Sequence, residues 1–359
     1  MLKPGNVLYF NICLFFDCLF CGEEYFCLPH KSFMYKNISV VIPCYKVRNH
    51  IVSVLSNIGP EVNRIYVVDD CCPESSGDFV RNNYHDSRIS IICIMQNMGV
   101  GGAVMAGYLA AIADGADIIV KVDGDGQINP KLIPRIVAPI LRGQADYTKG
   151  NRFYDLNHLS RMPAIRLFGN ALLSFMTKLS TGYWNIFDPT NGFTAIHAKV
   201  AAHLPMDKIS PRYFFETDML FRLNSIRAVV VDIPMDAVYG EEQSNLKISR
   251  VIPEFLLKHT RNLFKRIFYN YFLRDMTLAS LELVIGYGLL LFGFIFGGIH
   301  WITGMQNSIP TPLGTIMLAA LPILIGLQFV LAFLGYDISN VPKRIIHTDL
   351  PNNECNIYD

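Results

Sequence analysis

Two long apolar stretches near the C-terminus limit what this chain can fold into. Residues 278–302 contain one carboxylate, Glu282, near their start, and residues 313–336 contain no charged side chain. Each stretch is long enough to cross the roughly 30 Å hydrocarbon core of a bilayer as a helix. Because the linker 303–312 is short and uncharged, we expect a transmembrane helical hairpin over 278–338, rather than two buried helices of a soluble domain.

Basic residues flank the hairpin on both sides. Because positive flanks remain in the cytoplasm, this pattern places both ends and the large N-terminal region there, with 339–359 as a cytoplasmic tail. Residues 241–277 mix bases with aromatic and aliphatic side chains, which predicts amphipathic juxtamembrane helices on the membrane surface. An ordinary amphipathic helix on the soluble domain is the alternative. The flanking bases are Lys258, Arg261, Lys265, Arg266 and Arg274 before the hairpin, and Lys343 and Arg344 after it.

Composition restricts the classes of partner. The 359 residues include 31 Lys and Arg against 30 Asp and Glu, a net charge of +1, which removes the electrostatic basis for binding nucleic acid. Residues 1–36 hold a short apolar run interrupted by Asp17 and several cysteines without the spacing of a metal site. We expect this segment to be an extension without a catalytic role, disordered or not translated, with translation starting at Met34.

Short β-branched runs alternate with helical segments from residue 37 to about 240. This alternation predicts an α/β fold with a mostly parallel sheet wound in right-handed βαβ units. Ligands of such sheets bind beyond the carboxyl ends of the strands, where Asp69, Asp70 and Asp123 fall. The runs that we interpret as the first strands are ISVVIPC, RIYVVDD, ISIICI and DIIVKVD.

The segment VDGDGQINP places Asp123, Asp125 and Gln127 at alternate positions after a strand. Two carboxylates this close repel each other unless a cation or a donor holds them. Since Mg²⁺ is typically bound by one or two carboxylates together with substrate phosphates, the segment predicts a metal-bridged diphosphate with Mg²⁺ or Mn²⁺ as cofactor. A structural turn is the alternative. An EF-hand calcium loop is excluded because Pro134 stands where its bidentate Glu is needed.

Glycines are frequent in NMGVGGAVMAG, residues 97–107, but their spacing differs from the dinucleotide fingerprint G-x-G-x-x-G. The preceding strand is also not the first of the sheet. We therefore expect these glycines to serve the loop and close packing, with nucleotide contact secondary.

Several motifs in order give the chain a family resemblance. VVIPCYKV, VVDD, NMGVGGA, VDGDGQ, KGNRF, DPTNGF and FFETDML resemble family-2 glycosyltransferases of the GT-A fold, in particular the membrane-anchored polyprenyl-phosphate (dolichyl-phosphate type) sugar transferases. The resemblance implies a Rossmann-like GT-A catalytic domain over 37–240. It also implies inverting transfer of a single sugar from a nucleotide-diphospho-sugar to a polyprenyl phosphate at the cytoplasmic membrane face.

The resemblance also assigns roles to individual residues. The nucleotide-binding positions that it implies are Pro43, Tyr45, Asp69, Asp70 and Asp123, and the metal positions are Asp123, Asp125 and Gln127. Arg152 matches an arginine that contacts phosphates, Arg166 or else Arg161 matches a second one, and Asp188 matches an acidic loop near the sugar. Asp125, Arg152, Arg166 and Asp188 are the residues that we expect to be catalytic.

One departure from the family pattern concerns the nucleotide base. The family often has Asn-Glu after the tyrosine, whereas Lys46 and Val47 follow it in this chain. A carboxylate that could contact the base is therefore missing, and both uridine and guanosine donors stay open.

The acceptor decides whether a general base is needed. A lipid monophosphate is largely anionic near neutral pH and needs orientation, which the planar fork of arginine supplies. A hydroxyl acceptor of another lipid or a glycan needs a base, for which Glu216 and Asp218 are the candidates. A non-catalytic membrane scaffold is a further alternative, against which the clustered charge argues. The hairpin glycines 286, 288, 293, 297 and 298 could also pack a homo-oligomer.

Overall fold

A computed structural model of the chain describes residues 36–154, 164–235 and 248–351, without the side chains of 164–166 and 248–251. Within these ranges seven strands form one sheet in the order β3-β2-β1-β4-β6-β5-β7. The predictions for residues 1–35 and for Arg161 lie outside the described residues. The strands are β1 (Ile38–Cys44), β2 (Arg64–Asp69), β3 (Ile89–Cys93), β4 (Ile118–Lys121), β5 (Tyr147–Asn151), β6 (Thr194–His197) and β7 (Val230–Pro234).

Six of these strands run in one direction. β1 pairs in parallel with β2 and β4, β2 with β3, and β5 with β7, whereas β6 is antiparallel to both β4 and β5. The predicted mostly parallel α/β sheet is therefore confirmed. Because β6 runs the other way, the loop that leads into it reaches the edge where the other strands end. We call this edge the carboxyl edge.

Helices cover the sheet, and two glycines of residues 97–107 permit close contacts with β1 and with the loop that contains Ser210. A Cβ on Gly107 would lie 2.3 Å from Val41 Cγ1, and one on Gly101 would lie 2.6 Å from the carbonyl oxygen of Ser210. The prediction that the glycines of 97–107 serve close packing is confirmed at these positions. The helices are α1 (Ile51–Ser56), α2 (Ser76–Asn83), α3 (Val100–Ala113), α4 (Ile133–Leu141), α5 (Ala164–Thr181), α6 (Ala198–Ala202) and α7 (Phe215–Ser225).

Three long helices follow the sheet: α8 (Ile248–Phe268), α9 (Leu278–Asn307) and α10 (Leu313–Ser339). The last two are long and apolar enough to cross a membrane, and they contain the two predicted spans. They form an antiparallel hairpin with close backbone contact, because a Cβ on Gly326 would lie 2.8 Å from the carbonyl oxygen of Gly286. Gly293 and Gly297 likewise face α10, so three of the five hairpin glycines pack within the chain.

The hairpin is joined to the α/β domain by a group of side chains that we call the junction cluster: the buried Arg266, Tyr271 and Asp337 and the half-buried Trp184. Asp337, near the end of α10, accepts hydrogen bonds from Arg266 Nη1 at 2.5 Å, Tyr271 Oη at 2.6 Å and Trp184 Nε1 at 2.9 Å. Arg266 also donates to the carbonyl oxygen of Leu179 at the end of α5. The last turn of the hairpin is thereby fixed against α5, α8 and the loop that follows α5.

The segment after the hairpin returns to the α/β domain. Buried Asp146 accepts hydrogen bonds from the backbone N–H groups of Ile346 and His347 and lies 2.7 Å from His347 Nδ1. The His347 ring stacks on His197 with centroids 4.4 Å apart. Ile346 and Leu350 pack against the main hydrophobic core. The described part of the predicted tail therefore lies on the domain surface.

Candidate active site

The carboxyl edge brings together residues from three distant segments. Asp123 follows β4, Arg152 follows β5, and Asp188 lies in the loop before β6. Since β6 is antiparallel to its neighbours, this loop arrives beside the ends of β4 and β5. The predicted metal residues and the predicted phosphate-binding arginine are therefore placed at one edge of the sheet, as expected for ligand sites of open α/β sheets.

Asp123 is held by a buried lysine. Its Oδ1 lies 2.8 Å from Lys121 Nζ, and 29% of its side chain is exposed, against 1% for Lys121. A Cβ on Gly192 would lie only 1.8 Å from Asp123 Oδ2, so the loop before β6 is pressed against this carboxylate. The residue at position 192 therefore has to be a glycine for Asp123 to keep this position.

Asp125 and Gln127 complete the turn of the predicted metal motif. Asp125 Oδ1 accepts a hydrogen bond from the Gln127 backbone N–H at 3.0 Å. Gly126 has φ +77°, a conformation that favours glycine, and a Cβ there would lie 3.5 Å from His50 Cβ. Half-buried carboxylates on such a turn offer the hard oxygen ligands that Mg²⁺ and Mn²⁺ prefer.

The donor set fits a divalent cation that also takes ligands from a substrate. Among the described residues, no group of three or more His, Cys, Asp or Glu side chains could hold a metal ion by itself. Mg²⁺ is commonly bound by one or two carboxylates plus substrate phosphates. Asp123 and Asp125 can supply the carboxylates, and a diphosphate would supply the remaining charge.

Asp69 and Asp70, the predicted nucleotide-binding pair, are both buried and already bound by backbone donors. Asp69 accepts from the N–H groups of Cys72 and Gly77 at 2.7 and 2.6 Å. Asp70 accepts from those of Met98 and Gly99, both at 2.7 Å. These bonds fix the loops after β2 and β3 and give both aspartates a structural role. Their predicted contact with a nucleotide stays a prediction.

Pro43 and Tyr45 lie at the end of β1, next to the metal motif. Tyr45 is exposed, and Lys46 after it has φ +58°. Val47 folds back so that a Cβ on Gly124 would lie 3.2 Å from its Cγ2. The segment that departs from the family pattern therefore packs against the turn that carries Asp125, and the exposed Tyr45 ring is available to a ligand.

Arg152 and Asp188 form a fork of two hydrogen bonds at the same edge. Arg152 Nε and Nη2 donate to Asp188 Oδ2 and Oδ1 at 2.8 and 3.0 Å. Asp188 is fully buried, whereas 28% of the Arg152 side chain is exposed. Asp188 thus orients the guanidinium, and its predicted place in an acidic loop near the sugar stays a prediction. Arg166 lies in the first turn of α5, and its side chain lies outside the described residues.

The two predicted bases have different surroundings. Glu216 Oε1 lies 3.4 Å from Lys121 Nζ, so Glu216 belongs to the group around Asp123. Asp218 accepts hydrogen bonds from the backbone N–H of Ser210 at 2.9 Å and from Asn262 Nδ2 at 3.1 Å. Asp218 therefore links α7 to the loop that contains Ser210 and to α8, and these contacts indicate a structural role. Of the two candidates, Glu216 lies at the site.

The α/β domain is similar to a family of known proteins. Residues 39–204 match the family described as glycosyl transferase family 2. These residues make up just under half of the chain and resemble that family. The topology above confirms the predicted mostly parallel α/β sheet, and the protein is a glycosyltransferase. The GT-A fold stays a prediction from the motifs.

Curated relatives share most of their length with this glycosyltransferase. UDP-N-acetylglucosamine–dolichyl-phosphate N-acetylglucosaminyltransferase of Methanococcus voltae is 28% identical over 57% of this chain and 87% of the relative. Undecaprenyl-phosphate mannosyltransferase of Micrococcus luteus is 26% identical over 62% of this chain and 93% of the relative. Among solved structures, glucosyl-3-phosphoglycerate synthase of Mycobacterium tuberculosis aligns with a TM-score of 0.47 and 19% identity, over 66% of this chain and 81% of that one.

Two buried strand lysines were not predicted, and one of them, Lys121, belongs to the site. Burial acts to lower the pKa of Lys121, but the carboxylates of Asp123 and Glu216 raise it above its ordinary value. Burial lowers the pKa of Lys149 on β5 to about 8, and its Nζ donates to the carbonyl oxygen of Asn191. Both lysines stand inside strands that are buried on every residue, and a charge in such a run is the signal that could have identified them.

Proposed function

We propose that this glycosyltransferase moves one sugar, with inversion, from a nucleotide-diphospho-sugar to a polyprenyl phosphate at the cytoplasmic face of a membrane. The observation that carries the proposal is the Arg152–Asp188 fork, which lies at the same sheet edge as Asp123. The names of the two curated relatives, which specify dolichyl phosphate and undecaprenyl phosphate, support the same acceptor class.

Arg152 is suited to a phosphate because its orientation is already set. Arginine binds phosphate through a planar fork, and the fully buried Asp188 holds the guanidinium in one direction before any ligand arrives. Such preorganisation removes the cost of ordering a long side chain when a phosphate binds. In this proposal Arg152 orients the acceptor phosphate for attack.

A phosphate acceptor also agrees with the contacts of the two candidate bases. One oxygen of Glu216 faces Lys121, and both oxygens of Asp218 accept hydrogen bonds from neighbouring groups. A phosphate oxygen attacks the anomeric carbon directly, and the bond from that carbon to the diphosphate breaks with its electron pair. This single displacement inverts the anomeric configuration and needs no base, since the phosphate is already ionised. A hydroxyl acceptor would need one.

A divalent cation, Mg²⁺ or Mn²⁺, would be held by Asp123 and Asp125 with Gln127 beside them. When bound, it would stabilise the negative charge that develops on the leaving diphosphate. The chain's own contribution is the fixed turn: Gly126 closes it, Gln127 bonds to Asp125, and Lys121 holds Asp123. These residues place hard oxygens beside the position that the family resemblance assigns to the donor diphosphate.

The face that α8 exposes supports a membrane surface as the location. His259, Asn262 and Arg266 of α8 are buried against the domain, whereas the apolar Leu257 and Phe264 are exposed. A helix on a soluble domain buries its apolar face instead. The exposed Phe168, Leu172 and Phe175 of α5 add to this surface. Together with two candidate spans and basic flanks, the reversed pattern supports helices that lie in the interface.

A transfer assay tests the proposal. Membranes containing the full chain would receive polyprenyl phosphate, Mg²⁺ or Mn²⁺, and a panel of labelled nucleotide sugars. We expect label from one donor to enter an acid-labile lipid fraction, and to be lost in Asp125→Ala and Arg152→Ala. Arg222→Ala is the matched control, because Arg222 pairs with Asp218 away from Asp123. The donor that labels the lipid also identifies the sugar and the nucleotide.

A different result would redirect the assignment. If metal-dependent nucleotide binding is retained but no donor labels the lipid, the polyprenyl phosphate acceptor is wrong. Hydroxyl acceptors would then be tested with Glu216→Gln, since Glu216 is the predicted base that lies at the site.

A further inference from the structure

Lys121 joins the three segments that form the site. Its ammonium group lies 2.8 Å from Asp123 Oδ1, 3.4 Å from Glu216 Oε1 and 3.2 Å from the carbonyl oxygen of Gly192. These partners belong to the metal motif, to α7 and to the loop before β6. An ammonium group has three N–H donors, so the three contacts account for all of them.

Burial of the Lys121 charge lowers the stability of the folded state, so its presence at this position requires an explanation. Only 1% of the Lys121 side chain is exposed, and it stands in β4 among buried apolar residues. A buried charge is strongly unfavourable unless it is paired and hydrogen-bonded. Apolar residues in place of the whole ion-paired group would avoid that cost, and replacements of whole buried ion pairs are often neutral or stabilising. Packing alone therefore does not account for a lysine here.

Asp123 is fixed by Lys121 on one side and by the backbone on the other. Lys121 Nζ holds Oδ1, while a Cβ on Gly192 would lie 1.8 Å from Oδ2 and 2.8 Å from Lys121 Nζ. With one oxygen bonded and the other against a glycine, the carboxylate has little freedom to rotate. The cation next to it also opposes a metal ion that would bind to Asp123 without a diphosphate, because like charges repel.

We propose that Lys121 is a positioning residue of the glycosyltransferase, which fixes Asp123 in one orientation and ties the loop before β6 and α7 to the metal motif. The proposal rests on the proposed function for its effect on turnover. Its effect on metal binding does not depend on the acceptor. Loss of the lysine would free Asp123 to rotate and would remove a positive charge from the edge of the cation site.

Lys121→Met tests the proposal with two readouts that move in opposite directions. Mn²⁺ binding to the full-length protein in detergent, without nucleotide, is measured by electron paramagnetic resonance. We expect Mn²⁺ to bind at least about fivefold more tightly, because the neighbouring positive charge is gone. Sugar transfer should fall by about 100-fold or more, the size of loss that misplaced groups cause in a preorganised site.

Lys149→Met is the matched control. Lys149 is also a fully buried strand lysine, but it donates to the Asn191 carbonyl oxygen rather than to Asp123. We expect its Mn²⁺ affinity to stay within about twofold of the parent protein. A general loss of folding would weaken metal binding in both variants, whereas the proposal requires tighter binding in Lys121→Met alone.

Gly192→Ala provides a second test that keeps the lysine. The added Cβ meets the flexible ends of Asp123 and Lys121, so these side chains must shift while the fold is retained. We expect transfer to fall at least about tenfold with little change in thermal unfolding. If Lys121→Met fails to fold, Gly192→Ala still tests whether the position of Asp123 controls transfer.

Three outcomes overturn the proposal: an unchanged or weaker Mn²⁺ affinity in Lys121→Met, transfer within about threefold of the parent in that variant, or full transfer in Gly192→Ala. If the parent protein transfers no sugar to any polyprenyl phosphate, the proposed function fails instead. The Mn²⁺ measurement then still decides the role of Lys121.

Discussion

The protein contains two groups of buried ion pairs that are built differently. In the junction cluster, Arg266 and Asp337 are each only 3% exposed, and both Asp337 oxygens accept several hydrogen bonds. Around Lys121 the cation is equally buried, but Asp123 keeps 29% and Glu216 keeps 14% of the side chain exposed. One group is closed to solvent, and the other is open on its acidic side.

This difference in solvent exposure indicates that one group holds the fold together and that the other can bind a ligand. A fully enclosed pair gains nothing from a ligand and is costly to break, so it serves to hold elements in one arrangement. When the carboxylate of a pair is partly exposed, its buried partner fixes it from the protein side, and the exposed oxygen can still bind a cation from solvent. The junction cluster therefore fixes the hairpin to the domain, and the Lys121 group presents oxygens at the carboxyl edge.

The largest effect is expected from breaking the closed group. Asp337→Ala leaves Arg266 buried without its carboxylate, which should lower the free energy of unfolding by about 3–5 kcal/mol. Denaturant titration in detergent measures this change. Asp349→Ala is the control, because Asp349 pairs with Arg344 on the surface and 55% of it is exposed. Such exposed pairs contribute about 0–1 kcal/mol. Equal effects of the two variants would mean that the junction is not a closed pair in solution.

Acid should weaken a third buried contact, where the tail meets the domain. Burial lowers the pKa of His197 to about 4, with smaller contributions from His347 and Lys36, so the folded protein resists protonation there. As the pH falls from about 6.5 to 4, the unfolded chain binds a proton that the folded chain does not. Stability should fall by up to about 3 kcal/mol over this range.

His197→Asn should remove this part of the acid sensitivity. Asparagine retains an acceptor for the Lys199 backbone N–H, which His197 now binds at 3.3 Å. Unfolding of parent and variant is compared between pH 7 and pH 4, alongside His85→Asn, which changes an exposed histidine. A parent and a His197 variant that lose stability in parallel would contradict the assignment.

The partly exposed ion pairs at the carboxyl edge are tested at Arg152. Arg152→Lys retains the charge but loses the fork to Asp188, so we expect a roughly 100-fold loss of transfer, equivalent to about 2.7 kcal/mol. The free energy of unfolding should change by less than about 1 kcal/mol, because part of this side chain is exposed. Arg222→Lys, at an Arg–Asp pair away from Asp123, controls for the substitution itself. A loss of stability as large as the loss of activity would instead indicate a structural pair.

The smallest effect is expected from removing one donor of the closed group. Trp184→Phe deletes the 2.9 Å hydrogen bond to Asp337, while Arg266 and Tyr271 still satisfy that carboxylate. The free energy of unfolding should fall by about 1.5 kcal/mol, the lower end of the range for a hydrogen bond to a charged group, because two other donors remain. A loss as large as that of Asp337→Ala would show that Trp184, and not the ion pair, holds the junction.

Local patterns were sufficient to predict the strands and the two apolar helices, and they singled out Asp123 and Asp125 as metal candidates. The alternation of β-branched runs with helices predicts the parallel sheet because side-chain period and connection length are local properties. The candidate spans depend only on length and apolarity. Asp123 and Asp125 are two positions apart, so their proximity needs no knowledge of the fold.

The surroundings of the charged residues could not be predicted in this way. Asp70 resembled a ligand residue in the motif VVDD, yet its oxygens are bonded to backbone N–H groups near residue 98. Lys121 and Glu216 meet across 95 positions of sequence. Arg266 and Asp337 meet across 71. No periodicity relates such residues, because the turns and the antiparallel β6 determine which segments become neighbours.

Glu216 and Asp218 show which property of the site follows from the sequence and which follows from the fold. The sequence by itself placed two acidic residues in one helix, two positions apart, and gave no reason to prefer either as the general base. In an α-helix, residues two apart project about 200° from each other, so only one can face a given neighbour. The packing of α7 turns Glu216 towards Lys121 and Asp218 towards α8. The two acidic candidates were therefore readable from the chain, whereas the direction of each side chain was set by tertiary packing.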